Sequence, residues 1–222
     1  MHWDFVIEIL PRLLEASLMT LELTVAGISG GIVIGLVLSV LRISGIKPLS
    51  LLSKAYVDFF RGTPLLVQIF IVHYILYPAV GVNNALISSI TALCINSGAY
   101  VAEIFRGGIQ SIDKGQMEAA RSLGMTWWQS MRHVILPQAF KVSVPPLGNE
   151  FIALLKDSSL VSVLAVEELM CTGRLIIGKI PRIPEVWFSV AIIYLILTST
   201  ISVFVNYTER RLQTGDSGKK TV

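Results

Sequence analysis

The sequence predicts an all-helical integral membrane protein with five transmembrane helices. Three observations carry this reading. Of the 222 residues, 53% are hydrophobic and only 15% charged, where a soluble domain carries about 25% charged residues; mean hydropathy is +0.69. Residues 62–102 contain no Asp, Glu, Lys or Arg, a run too long for one crossing of about 20 residues and suited to two. Basic residues gather in alternate connecting segments, as they do in multi-span proteins.

The first span is placed at 23–41, which has no charged residue and in which Gly27, Gly31 and Gly35 form two overlapping small-xxx-small patterns suited to close helix packing. Spans two and three are placed at 59–78 and 84–103, with a tight turn at Pro78-Ala79-Val80-Gly81. The fourth, 138–156, carries Glu150 and an expected kink at Pro145-Pro146. The fifth is placed at 186–206. Residues 158–169 are too short to span and too apolar for a plain loop, so a short re-entrant or interfacial helix is expected. A single membrane domain covers 1–212, and 213–222 form a polar tail. Residues 1–17 set Asp4, Glu8 and Glu15 against Arg12 alone, the reverse of the basic start of a signal peptide.

Orientation follows from the cations. Arg42, Lys47, Lys54 and Arg61 follow span one; Arg106, Lys114, Arg121, Arg132 and Lys141 lie at or near the segment between spans three and four; Arg210, Arg211, Lys219 and Lys220 close the chain. These are most of its 18 basic residues, and the rule that favours basic cytoplasmic loops puts all three segments in the cytoplasm. The N-terminus is then extracytoplasmic and the C-terminus cytoplasmic. Trp3, Trp127, Trp128 and Trp187 fall near the expected boundaries, as interfacial aromatics do.

Several chemistries are disfavoured. The net charge of +3 is scattered at span edges and suggests no nucleic-acid role. Cys94 and Cys171 are far apart, so neither a disulfide framework nor a metal site is indicated. Asn206-Tyr207-Thr208 is a glycosylation sequon on the cytoplasmic side and is discounted. Gly173, Gly178 and Lys179 approach a phosphate-binding loop, but Ile180 stands where Ser or Thr would hold magnesium. The chain is therefore expected to be no enzyme, to hold no cofactor or metal, and to have no ATPase of its own. His73 is read as a hydrogen-bonded packing residue.

The polar stretch between spans three and four reads as a compact knob. Asp113 can cap a helix, with Gln116 three residues on as in a capping box and Ile112 and Met117 as a hydrophobic staple. A helix over 114–123 would end at Gly124, where the chain can turn. A second amphipathic piece follows, with Trp127, Met131 and Val134 on one side, and Pro137 marks a new start.

Glu118-Ala119-Ala120, then Gly124, then nine residues and Val134-Ile135-Leu136-Pro137 resemble the EAA loop of bacterial ABC-importer permeases. Val134 departs mildly, since the pattern prefers Ile there. Arg61-Gly62-Thr63-Pro64-Leu65-Leu66-Val67-Gln68, Asn96-Ser97-Gly98-Ala99-Tyr100-Val101-Ala102-Glu103, Gly148-Asn149-Glu150-Phe151 and Lys156-Asp157-Ser158-Ser159-Leu160 look like the histidine/glutamine/arginine class of polar amino-acid permeases. These stretches cover most of residues 20–210. The resemblance implies a type I importer subunit of the bacterial inner membrane, with a cytoplasmic coupling helix between spans three and four. Glu118, Ala119, Ala120 and Gly124 would couple it to two ATP-binding cassette subunits, which would hold ATP and magnesium. A second permease subunit (an identical copy or a paralogue) and an extracytoplasmic solute-binding protein would complete it.

Ionisable side chains within a membrane are costly and mark functional candidates. Glu150 lies roughly 16 Å into span four at about 1.5 Å per residue, near the midplane, and Asp157 follows two turns on. In the resembling arginine-type permeases, acidic residues at these two motif positions contact the bound amino acid. Asn96, Tyr100 and Glu103 form a polar stripe on span three, serving the solute path or interhelical hydrogen bonding. Arg61 and Glu103 sit near the span edge, where anchoring or pairing would suffice. Glu150, Asp157, Asn96 and Tyr100 are the substrate-binding candidates, and basic amino acids are the expected solutes, with glutamine the main alternative. An ion-coupled secondary transporter is the rival class, although no internal repeat is visible. A non-transporting membrane scaffold is the third.

Overall fold

The computed structural model describes residues 3–213, and all regular structure among them is helical. The ten α-helices are α1 (Trp3–Ile43), α2 (Lys47–Gly62), α3 (Leu65–Ile71), α4 (Tyr77–Ala79), α5 (Ala85–Gln110), α6 (Lys114–Ser122), α7 (Trp127–Ser130), α8 (Leu136–Asp157), α9 (Leu169–Lys179) and α10 (Ile183–Gln213). π-turns at Val72–Leu76 and Met131–Ile135 join α3 to α4 and α7 to α8, and a 3-10 segment spans Ser158–Leu164.

Helix α1 begins twenty residues before the expected span and is 41 residues long, about 60 Å at 1.5 Å per residue. The added part obeys a helical period: Phe5, Ile9, Leu13 and Ala16 are buried, while Glu8, Glu15 and Glu22 point outward. That stripe packs on α9 and α10, in a cluster with Leu169, Ile176, Val186 and Val190. The acidic residues that argue against a signal peptide are thus on the outer face of a helix whose inner face is protein-covered.

Further along, α1 lies against α5. A Cβ on Gly31 would stand 2.7 Å from Ser97 Oγ, and one on Gly35 2.5 Å from Val101 Cγ1. The glycine pattern is a backbone-approach seam, as expected. The main core forms around it from Leu23, Ile28, Leu93, Val101, Phe105 and Leu154. Val161 and Leu164 join that core, so the 3-10 segment folds inward against it.

The second span departs most from expectation. The helical run breaks at Thr63-Pro64, and Lys47–Gly62 meets Leu65–Ala79 at a 109° bend. Thr63 is extended, with φ −118° and ψ 147°, because a following proline disfavours helical geometry and Pro64 brings no N–H of its own. Among the described residues three helices, in α1, α5 and α10, are long and apolar enough to cross a membrane, and the bent pair is a fourth candidate. Helix α8 carries Lys141, Glu150 and Lys156 and falls outside that set; it packs between α5 and α10. The turn at 78–81 forms as expected, with Gly81 at φ +75°.

Candidate functional site

The knob is built almost wholly from local hydrogen bonds. Asp113 caps α6 by accepting from the Gly115 N–H at 2.7 Å. Its partner is not Gln116, so the expected capping box does not form; the Gln116 side chain instead accepts from Gln138 of α8 at 3.5 Å. At the other end Gly124 has φ +85°. The Gly124 N–H donates to the Arg121 carbonyl at 3.0 Å and the Met125 N–H to the Ala120 carbonyl at 3.2 Å, the paired bonds of a Schellman motif. Glu118 and Ala119 are exposed and Ala120 is buried. Leu123 is 83% exposed, a large apolar side chain presented at the tip.

The capping box that does form lies at Thr126 and Gln129: Thr126 N–H donates to Gln129 Oε1 at 2.8 Å, and Gln129 N–H to Thr126 Oγ1 at 3.3 Å. The pattern Thr-x-x-Gln was there to be read. From this cap the chain runs helically to Asp157 without a break, through the π-turn. Pro137 is therefore no new start. It sits in the first turn after the π-turn, where its missing N–H is tolerated.

A second polar group lies between α5 and α8. Glu150 of α8 is half-buried and interacts electrostatically with Ser97, Asp157 and Arg61. The Ser97 hydroxyl is buried and has no hydrogen-bond partner within bonding distance among the described residues. Asp157 ends α8 and is exposed, next to the exposed Lys156. The structure therefore sets Glu150 near α5 at Ser97, which lies between Asn96 and Tyr100 in the chain. Asn96 is buried and its amide donates to Gln68 Oε1 at 2.9 Å. Tyr100 lies under the Arg61 guanidinium, 5.4 Å from ring centroid to charge. Glu103 pairs with Arg106 at 2.6 Å and Arg61 at 3.8 Å, and Arg42 also acts on it. Three cations thus surround one carboxylate at this end of α5.

Two residues to which the sequence analysis assigned no role tie helices together, Gln68 here and Glu168 elsewhere in the bundle. Gln68, buried, donates to the Phe60 carbonyl (2.8 Å), the Thr63 carbonyl (3.0 Å) and Thr63 Oγ1 (2.9 Å) while accepting from Asn96. One amide thus satisfies the carbonyls freed at the elbow and ties it to α5. Glu168, with no exposure at all, caps α9 through the Met170 and Cys171 N–H groups at 2.9 and 2.7 Å. It also accepts from Tyr194 Oη at 2.9 Å and Thr20 Oγ1 at 3.4 Å. His73 hydrogen-bonds Ser88 at 2.8 Å, in keeping with a packing role. Gly173 and Gly178 lie within the continuous helix α9, so the glycine pattern there is no phosphate loop.

A helical bundle with an exposed capped knob and a half-buried carboxylate between its helices has the form of a membrane permease, and the comparisons with known proteins give the class. The chain belongs to the family of binding-protein-dependent transport system inner membrane components, which residues 27–214 match. It is 40% identical over 215 residues to the glutamine transport system permease protein GlnP of Escherichia coli (strain K12), covering 95% of this chain and 97% of that one. It is 39% identical over 213 residues to the L-cystine transport system permease protein TcyB of Bacillus subtilis (strain 168), covering 95% and 91%. A solved amino acid ABC transporter with histidines superposes with a TM-score of 0.91 at 41% identity, covering 95% of this chain and 99% of that one. The MetNI methionine ABC transporter, at 24% identity and a TM-score of 0.82, shares the fold.

Proposed function

We propose that this chain is the membrane-spanning permease subunit of an ATP-driven importer of polar amino acids. The observation that carries the reading is near-full-length similarity, at about 40% identity, to permeases named for glutamine and cystine transport. The half-buried Glu150 at the α5–α8 contact is where a solute would meet charge. Two ATPase subunits would hold ATP and magnesium and dock on the knob through Glu118, Ala119, Ala120 and the Gly124 turn. A second permease subunit and an extracytoplasmic binding protein complete the machine. Residues 104–137 and the C-terminus face the cytoplasm, and the N-terminus faces outward. ATP-driven closure of the ATPases moves the knob and, through the helix 127–157, opens a path outward along α5, α8 and the 3-10 segment.

Basic amino acids fit Glu150 and Asp157, two carboxylates about 10 Å apart along one helix face, because a cationic side chain eases their desolvation. Glutamine is the second reading, favoured by the name of the GlnP relative. The test is transport by the reconstituted complex, with a binding protein that accepts both solutes. Glu150→Gln is expected to cut arginine uptake at least tenfold and glutamine uptake much less. Equal arginine uptake by mutant and wild type would remove Glu150 from the path. Uptake by the purified chain without ATPases would favour an ion-coupled carrier. Orientation is tested by single-cysteine labelling from outside, which should modify position 80 or 180 and spare position 126.

A further inference from the structure

A cleft with a volume of about 590 Å³ opens at the knob end of the bundle, within the range of about 300–1,000 Å³ typical of ligand pockets. One wall is the last two turns of α1, including Leu36 and Val40. The floor is Phe105 and Ile109 of α5, and the far wall is Met131 with Trp127 and Trp128. The two serines that line it are spent on their own helix: Ser39 donates to the Leu36 carbonyl and Ser44 to the Leu41 carbonyl. Arg132 is the only charged residue in the lining among the described residues. It has no carboxylate partner among the described residues.

This composition selects one occupant. The walls are hydrocarbon, so the ligand's body is apolar. No acidic side chain among the described residues lines the cleft, so a cationic head would find no partner among them, whereas Arg132 offers a charge-assisted contact to an anion. The Trp127–Trp128 pair, with rings 4.7 Å apart and Trp128 71% exposed, marks the level at which a bilayer turns from hydrocarbon to headgroup. Basic pockets between membrane helices on the cytoplasmic side are suited to anionic lipid headgroups. We infer that the cleft binds one anionic phospholipid, with an acyl chain between α1 and Met131 and the phosphate on Arg132. The lipid would sit between the α1–α5 seam and the start of the helix that leads from the knob. The inference rests on the permease reading for its cytoplasmic leaflet only. Labelling tests that leaflet separately, and lipid would bind in either orientation.

The experiment uses the purified importer in vesicles of equal phosphatidylethanolamine and phosphatidylcholine, with trace phosphatidylglycerol or phosphatidylcholine carrying a photoreactive acyl terminus. Adducts are mapped by mass spectrometry. The expected result is adducts on the peptides bearing Phe105, Ile109 and Met131, about fivefold more from the anionic lipid, the order expected of one cation facing it. Arg132→Gln should bring the ratio near one. Val40→Trp, a change at a 54% exposed position, should fill the cleft and cut adducts from both lipids several-fold. Excess unlabelled phosphatidylglycerol should compete in the wild type. A wild-type ratio near one, a ratio unchanged by Arg132→Gln, or cleft adducts undiminished by Val40→Trp would overturn the site. So would a Val40→Cys variant that cross-links to another protein chain while no lipid adduct forms.

Discussion

Helices α6 and α9 are nine and eleven residues long, and each begins on an acidic cap. Asp113 is exposed and satisfies one N–H of its own helix. Glu168 is sealed from solvent and satisfies donors from α9, from Thr20 of α1 and from Tyr194 of α10. The same device therefore does two jobs. At the knob it shapes a short helix that stays exposed. In the bundle it is a joint among three helices, one of which donates from 148 residues away. Burial sets the difference, because water can replace a lost acceptor at Asp113 and cannot at Glu168.

The comparison breaks first at Glu168. Glu168→Leu leaves two N–H groups and the Tyr194 hydroxyl without their acceptor, while Thr20 can turn to the Ala16 carbonyl, at about 1–3 kcal/mol for each that stays unsatisfied. We expect a loss of several kcal/mol, seen as aggregation or a large fall in Tm of the detergent-purified protein. A Tm within a degree of wild type would mean that water replaces the carboxylate. Gln68→Leu comes next. It frees the Phe60 and Thr63 carbonyls and the Asn96 amide, and an expected cost of about 2–3 kcal/mol should appear as a lower Tm and faster proteolysis between α2 and α3. Normal stability with lost transport would instead assign Gln68 to the solute path.

At the knob, Gly124→Val forces a β-branched residue into a left-handed backbone, at a cost of about 1–2 kcal/mol. Insertion should be normal, while co-purification of the ATPases falls severalfold. Asp113→Ala is the smallest change, about 0.5–1 kcal/mol for an exposed cap, with Tm unchanged and coupling reduced by less than Gly124→Val. If Asp113→Ala matched Glu168→Leu in Tm, the contrast between the two caps would be void.

Local rules were the legible part of this chain. The apolar runs announced membrane helices, the glycine series at 27, 31 and 35 announced the α1–α5 seam, and Gly124 announced its positive φ. The break at Thr63-Pro64 was also written locally, but the uncharged run from 62 onward masked it; hydropathy has no term for a missing N–H. The first half of α1 was hidden by the opposite error, since its charges lie on one face and only the period of Phe5, Ile9 and Leu13 reveals the other. The capping box went to Thr126 and Gln129 rather than to Asp113 and Gln116, a choice between two valid local patterns. Glu168 and Gln68 act through partners distant in sequence, and no window over a single segment could pair Glu168 with Thr20 and Tyr194. The tail placed at 213–222 lies, beyond its first residue, outside the described residues.

The unbroken helical path from Thr126 to Glu150 is about 36 Å long at 1.5 Å per residue. A tilt of about 5° at one end of such a rod would carry the other about 3 Å, enough to make or break a hydrogen bond. The rod is not uniform, however. The π-turn at Met131–Ile135 shifts the hydrogen-bond register near one end, and Pro145 and Pro146 remove consecutive N–H donors just before Glu150. Torque entering below the first joint can be spent there as twist. Only what survives the second joint reaches the carboxylate. On the coupling proposed above, the stiffness of the nine residues between them, 136–144, would set the gearing between a stroke at the knob and a displacement at Glu150.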